Sequence, residues 1–256
     1  MPVIKVAVWD DPMIEALHQS WTSESGVTIE VLVLSAEDAE RAVLLEDVDI
    51  ALLPSTQVLL RLQSLDILSE SAISTWRNEK VLIERPTVSP PDHLFIKSGP
   101  RNEVFDLVSN VILKEHYRYS VERESNSSGH SLANGRVAGS TLSVQPADTD
   151  YSIEQYLDVS QEWYELVNYP MVWALFVTAK NNVTDILIKG IREWVTVLYS
   201  EAVDEFISDD GELSDLIRPR LDDLAIASLT ELCDYMFHYG VAPNSPVFTL
   251  VDIETE

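Results

Sequence analysis

Apolar and polar residues along this chain switch repeatedly between a period of two and a period near 3.6. VIKVAV at 3–8, TIEVLVL at 28–34 and VDIALL at 48–53 each predict a short strand. Between them, Pro12 stands in the first turn of a helix that turns Met13, Leu17 and Trp21 inward. Ser35-Ala36-Glu37-Asp38 starts a second helix whose acidic first turn suits the helix dipole and whose inner face is Ala39, Ala42 and Val43. After Pro54-Ser55-Thr56 another apolar helical run begins at Gln57 and reaches Leu62. Strand, helix, strand, helix, strand is the alternation of a parallel α/β sheet.

Residues 80–84 and 93–97 read as two further strands, separated by a segment, 86–91, with three prolines that marks the best linker in the chain. A helix is expected over about 103–115, with Val104, Leu107, Val108, Val111 and Ile112 as its apolar stripe. Residues 117–124 and 136–144 alternate around NSSGHSLANG and predict an exposed hairpin with a long loop. The last third is helical: Val183–Ile207 and Leu224–Tyr239 carry apolar faces, separated at Asp209-Asp210-Gly211, and an extended tail follows.

The stretch 158–180, DVSQEWYELVNYPMVWALFVTAK, organises the rest. Trp163, Leu166 and Val167 fall at helical spacing, with Asp158 or Ser160 placed to cap the helix. Asn168-Tyr169-Pro170 stops it, since proline lacks the N–H and disfavours helical geometry in the residue before it. Met171–Ala179 is nine uncharged residues, rich in branched and aromatic side chains, and predicts a strand buried on both faces. Helix, tight corner and buried strand together make a crossover between two packed regions.

With 256 residues the chain is long enough for two lobes. A mean hydropathy of +0.01 fits a folded soluble protein, and no apolar run reaches the roughly 18 residues of a membrane span. The start, MPVIKVAVWDD, lacks the features of a signal peptide, so a cytoplasmic location is expected. Forty-three acidic against 17 basic residues give a net charge of −26, which repels phosphate and excludes nucleic acid as a partner. Such acidity also suits a salt-rich cytoplasm. The lone Cys233 sits in an apolar helical face and reads as core, and His130 has no second His or Cys at ligand spacing. No metal and no organic cofactor is expected, and phosphate-binding glycine loops, HExxH and GxSxG are absent from the sequence.

In a parallel α/β sheet, ligands sit beyond the carboxyl ends of the strands. That rule singles out Trp9, Asp10 and Asp11 after the first strand and Pro54, Ser55 and Thr56 after the third. The turn Ser98-Gly99-Pro100-Arg101-Asn102 precedes a helix whose free N–H groups can attract a carboxylate or a phosphate, or is a plain connector.

VDIALLPS at 48–55 and EWYELVNYPMVWALFVTA at 162–179, with SGPRNEVFDLVSNVILKE at 98–115 between them, resemble the chorismate dehydratase family of the futalosine route to menaquinone. The resemblance implies an α/β fold of the type 2 periplasmic-binding-protein kind, two lobes around a cleft with C-terminal helices. Lobe 1 would be residues 1–85 completed by 181–256, and lobe 2 residues 86–180, with Tyr169 in the returning segment. It further implies a hydro-lyase acting on chorismate or a related small carboxylate in the cleft, the alternative being a binding or sensing protein of the same form. A homodimer is compatible with this reading.

Chorismate is a dianion, so its dehydration needs a base for a ring proton, a donor for the leaving hydroxyl and receptors for two carboxylates. Ser55, Ser98 and Asn102 can receive a carboxylate and Arg101 can pair with one in bidentate fashion. Asp10 and Asp11 are the candidate base. Two ionised aspartates aimed at a ligand carboxylate about 4 Å away would each cost on the order of 4 kcal/mol at an effective dielectric of 20. Either they point outward as caps of the helix at Pro12, or the ligand differs.

Overall fold

The computed structural model describes residues 2–24, 26–78, 81–84, 93–97, 103–119, 121–123, 137–144, 155–199 and 217–251. The proline segment at 86–91, the turn at 98–102, the loop bearing His130 and the break at 209–211 lie outside the described residues.

Strand β1 (Val3–Trp9) leads through Asp10 and Asp11 into a 3-10 helix (Pro12–His18), then β2 (Trp21–Thr22) and β3 (Thr28–Leu34). Helix α1 (Ala36–Leu44) begins where the Ser35 hydroxyl accepts from Asp38 N, and it buries Ala39 and Val43. Strand β4 (Ile50–Pro54), buried at every position, runs into the single turn α2 (Ser55–Leu59). Trp21 lies in β2 instead of on the preceding helix, which the fall of the chain into extended geometry at Gln19 ends early.

The next element is one that the alternation of residues does not predict. Strand β5 (Leu65–Thr75) is the longest in the molecule's described part. Asp66, Ser69, Glu70, Ser71 and Ser74 interrupt its apolar positions, yet all but Glu70 are buried. Two of them are held by long-range bonds: the Asp66 carboxylate accepts from Lys180 Nζ at 2.5 Å and Asn181 N at 2.7 Å, and the Ser74 hydroxyl donates to Arg218 O, whereas the Ser71 hydroxyl has no partner among the described residues.

Strands β6 (Val81–Glu84) and β7 (His93–Lys97) precede helix α3 (Glu103–Val111), which continues as a π-helical turn (Ile112–His116). Strands β8 (Val121–Arg123) and β9 (Val137–Val144) do not form the expected hairpin. Each pairs in parallel with β7, which lies between them, because alternation fixes which face a strand buries and says nothing of its neighbour. Then come β10 (Tyr156–Asp158), α4 (Val159–Val167), β11 (Met171–Ala179), α5 (Asp185–Leu198), α6 (Asp223–His238) and β12 (Leu250–Val251).

These strands make two sheets. The larger has the order β12-β5-β11-β4-β1-β3-β2 and the smaller β10-β6-β9-β7-β8. Sheet membership moves both expected lobe borders: β6, before residue 85, belongs to the smaller sheet, and β11, before residue 180, belongs to the larger one. The physical reason is that β11 is apolar on both faces and is buried only when inserted between β4 and β5. It runs antiparallel to both, whereas β1, β3 and β4 are mutually parallel.

Register locates the crossings. Met171 at the start of β11 stands opposite Thr75 at the end of β5, and Ala174 opposite Pro54 at the end of β4. The chain therefore leaves the larger sheet and returns to it at the carboxyl edge of the parallel strands. Helix α6 also crosses this division. It packs on α2 and β11, while Ser228 accepts from Trp163 Nε1 at 3.0 Å and the Tyr239 hydroxyl donates to Glu115 at 3.0 Å, both on the smaller-sheet side. Helix α5 lies so close to β1 that a Cβ on Gly190 would stand 2.7 Å from Ile4 Cδ1.

Candidate functional site at the carboxyl edge of the larger sheet

Trp9 is the last residue of β1 and is buried. Its ring meets Phe105 edge-on at 6.4 Å, and Phe105 meets Trp173 edge-on at 5.0 Å. The three rings belong to β1, α3 and β11, so the trio joins the edge of the larger sheet to the first turn of the smaller lobe's helix. Edge-to-face contacts of this kind favour a fixed arrangement beyond the area they bury. The Trp9 Nε1–H has no hydrogen-bond partner among the described residues.

The two aspartates separate at once. Asp10 is exposed, and its backbone N–H donates to Leu34 O at 2.8 Å. Asp11 is buried and its Oδ1 accepts from Met13 N at 2.9 Å, capping the 3-10 helix. Of the two roles open to Asp11, capping is the one its geometry carries.

Pro54 closes β4 in extended geometry and is buried. Ser55 is fully buried and its hydroxyl donates to Val172 O at 2.8 Å, tying the start of α2 to the start of β11. That bond places 171–179 beside Ser55, in the middle of the larger sheet. The next residue, Thr56, is equally buried and its hydroxyl has no partner among the described residues. Tyr169 is half-buried at the corner where Asn168 adopts φ 64°. Ser98, Gly99, Arg101 and Asn102 lie outside the described residues, although α3 begins at Glu103 directly after them.

A second set of polar side chains serves the crossings. Thr75 and Ser160 hydroxyls are 2.6 Å apart, and the Trp173 indole N–H donates to Thr75 Oγ1 at 2.9 Å, with Ser160 Oγ at 3.2 Å. Trp173 thus has a satisfied N–H where that of Trp9 has no partner among the described residues. Phe105, Trp173, Thr75 and Ser160 are the residues that the strand-end rule does not reach. Phe105 adjoins the predicted stripe of α3, and Trp173 lies within the predicted buried strand, but neither periodicity nor composition says that two elements so far apart in sequence meet at Trp9.

The arrangement can therefore offer two buried donors, the Trp9 N–H and the Thr56 hydroxyl, on elements that leave adjacent parallel strands, next to an aromatic wall. A carboxylate or carbonyl oxygen is the kind of acceptor that either donor takes, and a ring or alkyl portion suits the wall.

No protein-family model matches this chain, and no curated protein sequence matches it. Solved structures do. An ABC transporter structure from Parabacteroides distasonis is similar over 100% of both chains with a TM-score of 0.63 at 15% identity. Protein AF1704 from Archaeoglobus fulgidus is similar over 94% of this chain and 98% of its own, with a TM-score of 0.51 at 14% identity. The Candida albicans CA3427 gene product, described as having the generic periplasmic binding protein fold, covers 100% of both chains with a TM-score of 0.45 at 14% identity. The fold is two-lobed, α/β and periplasmic-binding-protein-like.

Proposed function

We propose that this protein binds a small organic carboxylate at the carboxyl edge of the larger sheet, between Trp9, Thr56 and Phe105. The observation that carries the reading is the pair of buried donors without partners among the described residues, Trp9 Nε1 and Thr56 Oγ1. A buried donor left unpaired costs about 1–3 kcal/mol, and a ligand acceptor removes that cost. The ligand's apolar part packs on the Trp9, Phe105 and Trp173 rings. Because Trp9 and Phe105 are both closed off from solvent, entry requires α3 to move away from the edge of the larger sheet.

The experiment is a thermal-shift screen of small carboxylates, chorismate among them, on the wild-type chain and on Trp9→Phe and Thr56→Val. A binder raises the melting temperature in proportion to the logarithm of its excess over Kd. Thr56→Val removes one donor while keeping the shape, and Trp9→Phe removes the other while keeping an aromatic ring, so each reduces the shift. Equal shifts in all three proteins overturn the reading.

A second reading, a hydro-lyase resembling chorismate dehydratase, draws on Asp10. Its exposed carboxylate shares the strand-end loop with Trp9, and solvent screens it from a dianionic ligand. In that reaction the base takes a ring C–H proton, the ring C–O bond breaks, the hydroxyl leaves as water and the ring becomes aromatic. Incubation with chorismate followed by mass spectrometry for the enol-ether benzoate tests it. Product that disappears in Asp10→Asn favours the lyase, and a melting shift without product favours binding alone.

A further inference from the structure

Away from that edge, the smaller lobe brings together three side chains that no strand-end rule selects. Glu162 and Glu165 lie one turn apart on α4, so both carboxylates share a helix face. His116 ends the π-helical turn that prolongs α3 and faces them. One ligand atom from each of His116, Glu162 and Glu165 lies within 4.8 Å of the other two, and His116 Nε2 stands 3.9 Å from Glu165 Oε2. A metal with bonds of about 2.0–2.2 Å holds its ligands roughly 3 Å apart, so side-chain rotation of about 1 Å closes the set.

Both carboxylates are oriented from outside the trio. The Tyr117 hydroxyl donates to Glu162 Oε2 at 2.7 Å, and Gln161 Nε2 donates to Glu165 Oε1 at 3.2 Å. Glu162 is only 5% exposed, so a carboxylate is held in a nearly dry position with its lone pairs directed. Outer-shell donors that fix carboxylate ligands are a regular part of metal sites.

We propose that His116, Glu162 and Glu165 bind a divalent first-row transition ion of the zinc class. One imidazole nitrogen favours zinc over magnesium or calcium, which take oxygen ligands, and two carboxylates neutralise the ion's charge. With three protein ligands, water completes the shell on the open side. The ion ties α4 to the end of α3, and α4 runs directly into the Asn168-Pro170 corner, so its effect is to stiffen the smaller lobe. The expectation of no metal rests on the lack of a second His or Cys at ligand spacing, and a carboxylate pair on a distant helix escapes that test. The proposal is independent of the small-carboxylate reading.

The full chain, stripped with chelator, is titrated with zinc and with cobalt(II) in the presence of potassium chloride and millimolar magnesium. The salt and magnesium suppress adsorption to a surface of net charge −26. The expected result is one equivalent bound, cobalt absorption bands of a four- or five-coordinate nitrogen–oxygen site, and a higher melting temperature. His116→Ala and Glu165→Gln, both at partly exposed positions, each weaken binding by at least about tenfold with unchanged circular dichroism. Tyr117→Phe keeps the site and weakens it less. Binding that is equally strong in His116→Ala, or that magnesium displaces, or cobalt spectra of an all-oxygen octahedral ion, overturns the proposal.

Discussion

Asn78 and Asp158 join the two places where the chain crosses between sheets: the Asn78 N–H donates to Asp158 Oδ2 at 3.0 Å, 80 residues away in sequence. Asp158 Oδ1 meanwhile accepts from Gln161 N at 3.0 Å and caps α4. Asn78 in turn accepts from Val81 N, fixing the entry to β6. One buried carboxylate thus sets the outward crossing, the helix before the return, and the distance between them.

Asp158→Ala therefore removes a helix cap and a crossing bond together. Loss of a helix cap costs about 0.5–2 kcal/mol and loss of a hydrogen bond to a charged group about 1.5–3 kcal/mol, so an overall loss of about 2–5 kcal/mol is expected in urea unfolding. Asp158→Asn keeps one oxygen acceptor and should lose less. A loss under about 0.5 kcal/mol for the alanine variant would mean that the staple is redundant.

The corner after α4 makes a different demand. Asn168 has φ 64° and ψ 25°, and its N–H donates to Tyr164 O at 2.7 Å to end the helix. Left-handed geometry costs most side chains about 1–2 kcal/mol and glycine nothing. Asn168→Gly is expected to be neutral within about 0.5 kcal/mol, and Asn168→Val to lose about 1–2 kcal/mol. The comparison is made by denaturant midpoint, and equal midpoints for the two variants would show that the corner relaxes.

How much of this was legible in the sequence depends on what each signal reports. Met171–Ala179 was readable to the residue, since an unbroken apolar run between a proline and a lysine leaves a doubly buried strand as its only comfortable place. A cap at Asp158 or Ser160, and capping as one of two roles for Asp11, were readable from their position before helical spacing, and the geometry carries Asp158 and the capping role. Strand β5 was not, because two of its buried polar residues, Asp66 and Ser74, take partners, Lys180, Asn181 and Arg218, that lie more than a hundred residues downstream. The same limit hid the meeting of Trp9 with Phe105 and of His116 with Glu162: periodicity describes one element's face, and a site is made where several faces converge.

Burial also governs the chain's chemistry at high pH, and the clearest case is Cys233. It lies 2% exposed on α6, and burial, aided by the charge of the adjoining Asp234, pushes its thiol from 9.0 up to about 12. The thiolate is the nucleophile, so at about pH 8 a disulfide reagent should leave native Cys233 unmodified and label it fully once urea unfolds the chain. Three tyrosines on α5 and α6 or just beyond them share the direction. Burial raises Tyr199, and burial together with the Glu115 carboxylate raises Tyr235 and Tyr239. All four groups are neutral when protonated, and in the folded chain they keep the proton at a pH where the unfolded chain has released it. Above about pH 9 the unfolded state then binds fewer protons, so stability is intact below that point and falls as pH rises towards 12. Urea midpoints measured from about pH 8 to pH 11 should decline, and Cys233→Ala should flatten part of the decline. A midpoint constant over that range, or rapid labelling of the native thiol, would require α6 to open far more readily than its contacts with Trp163 and Glu115 allow.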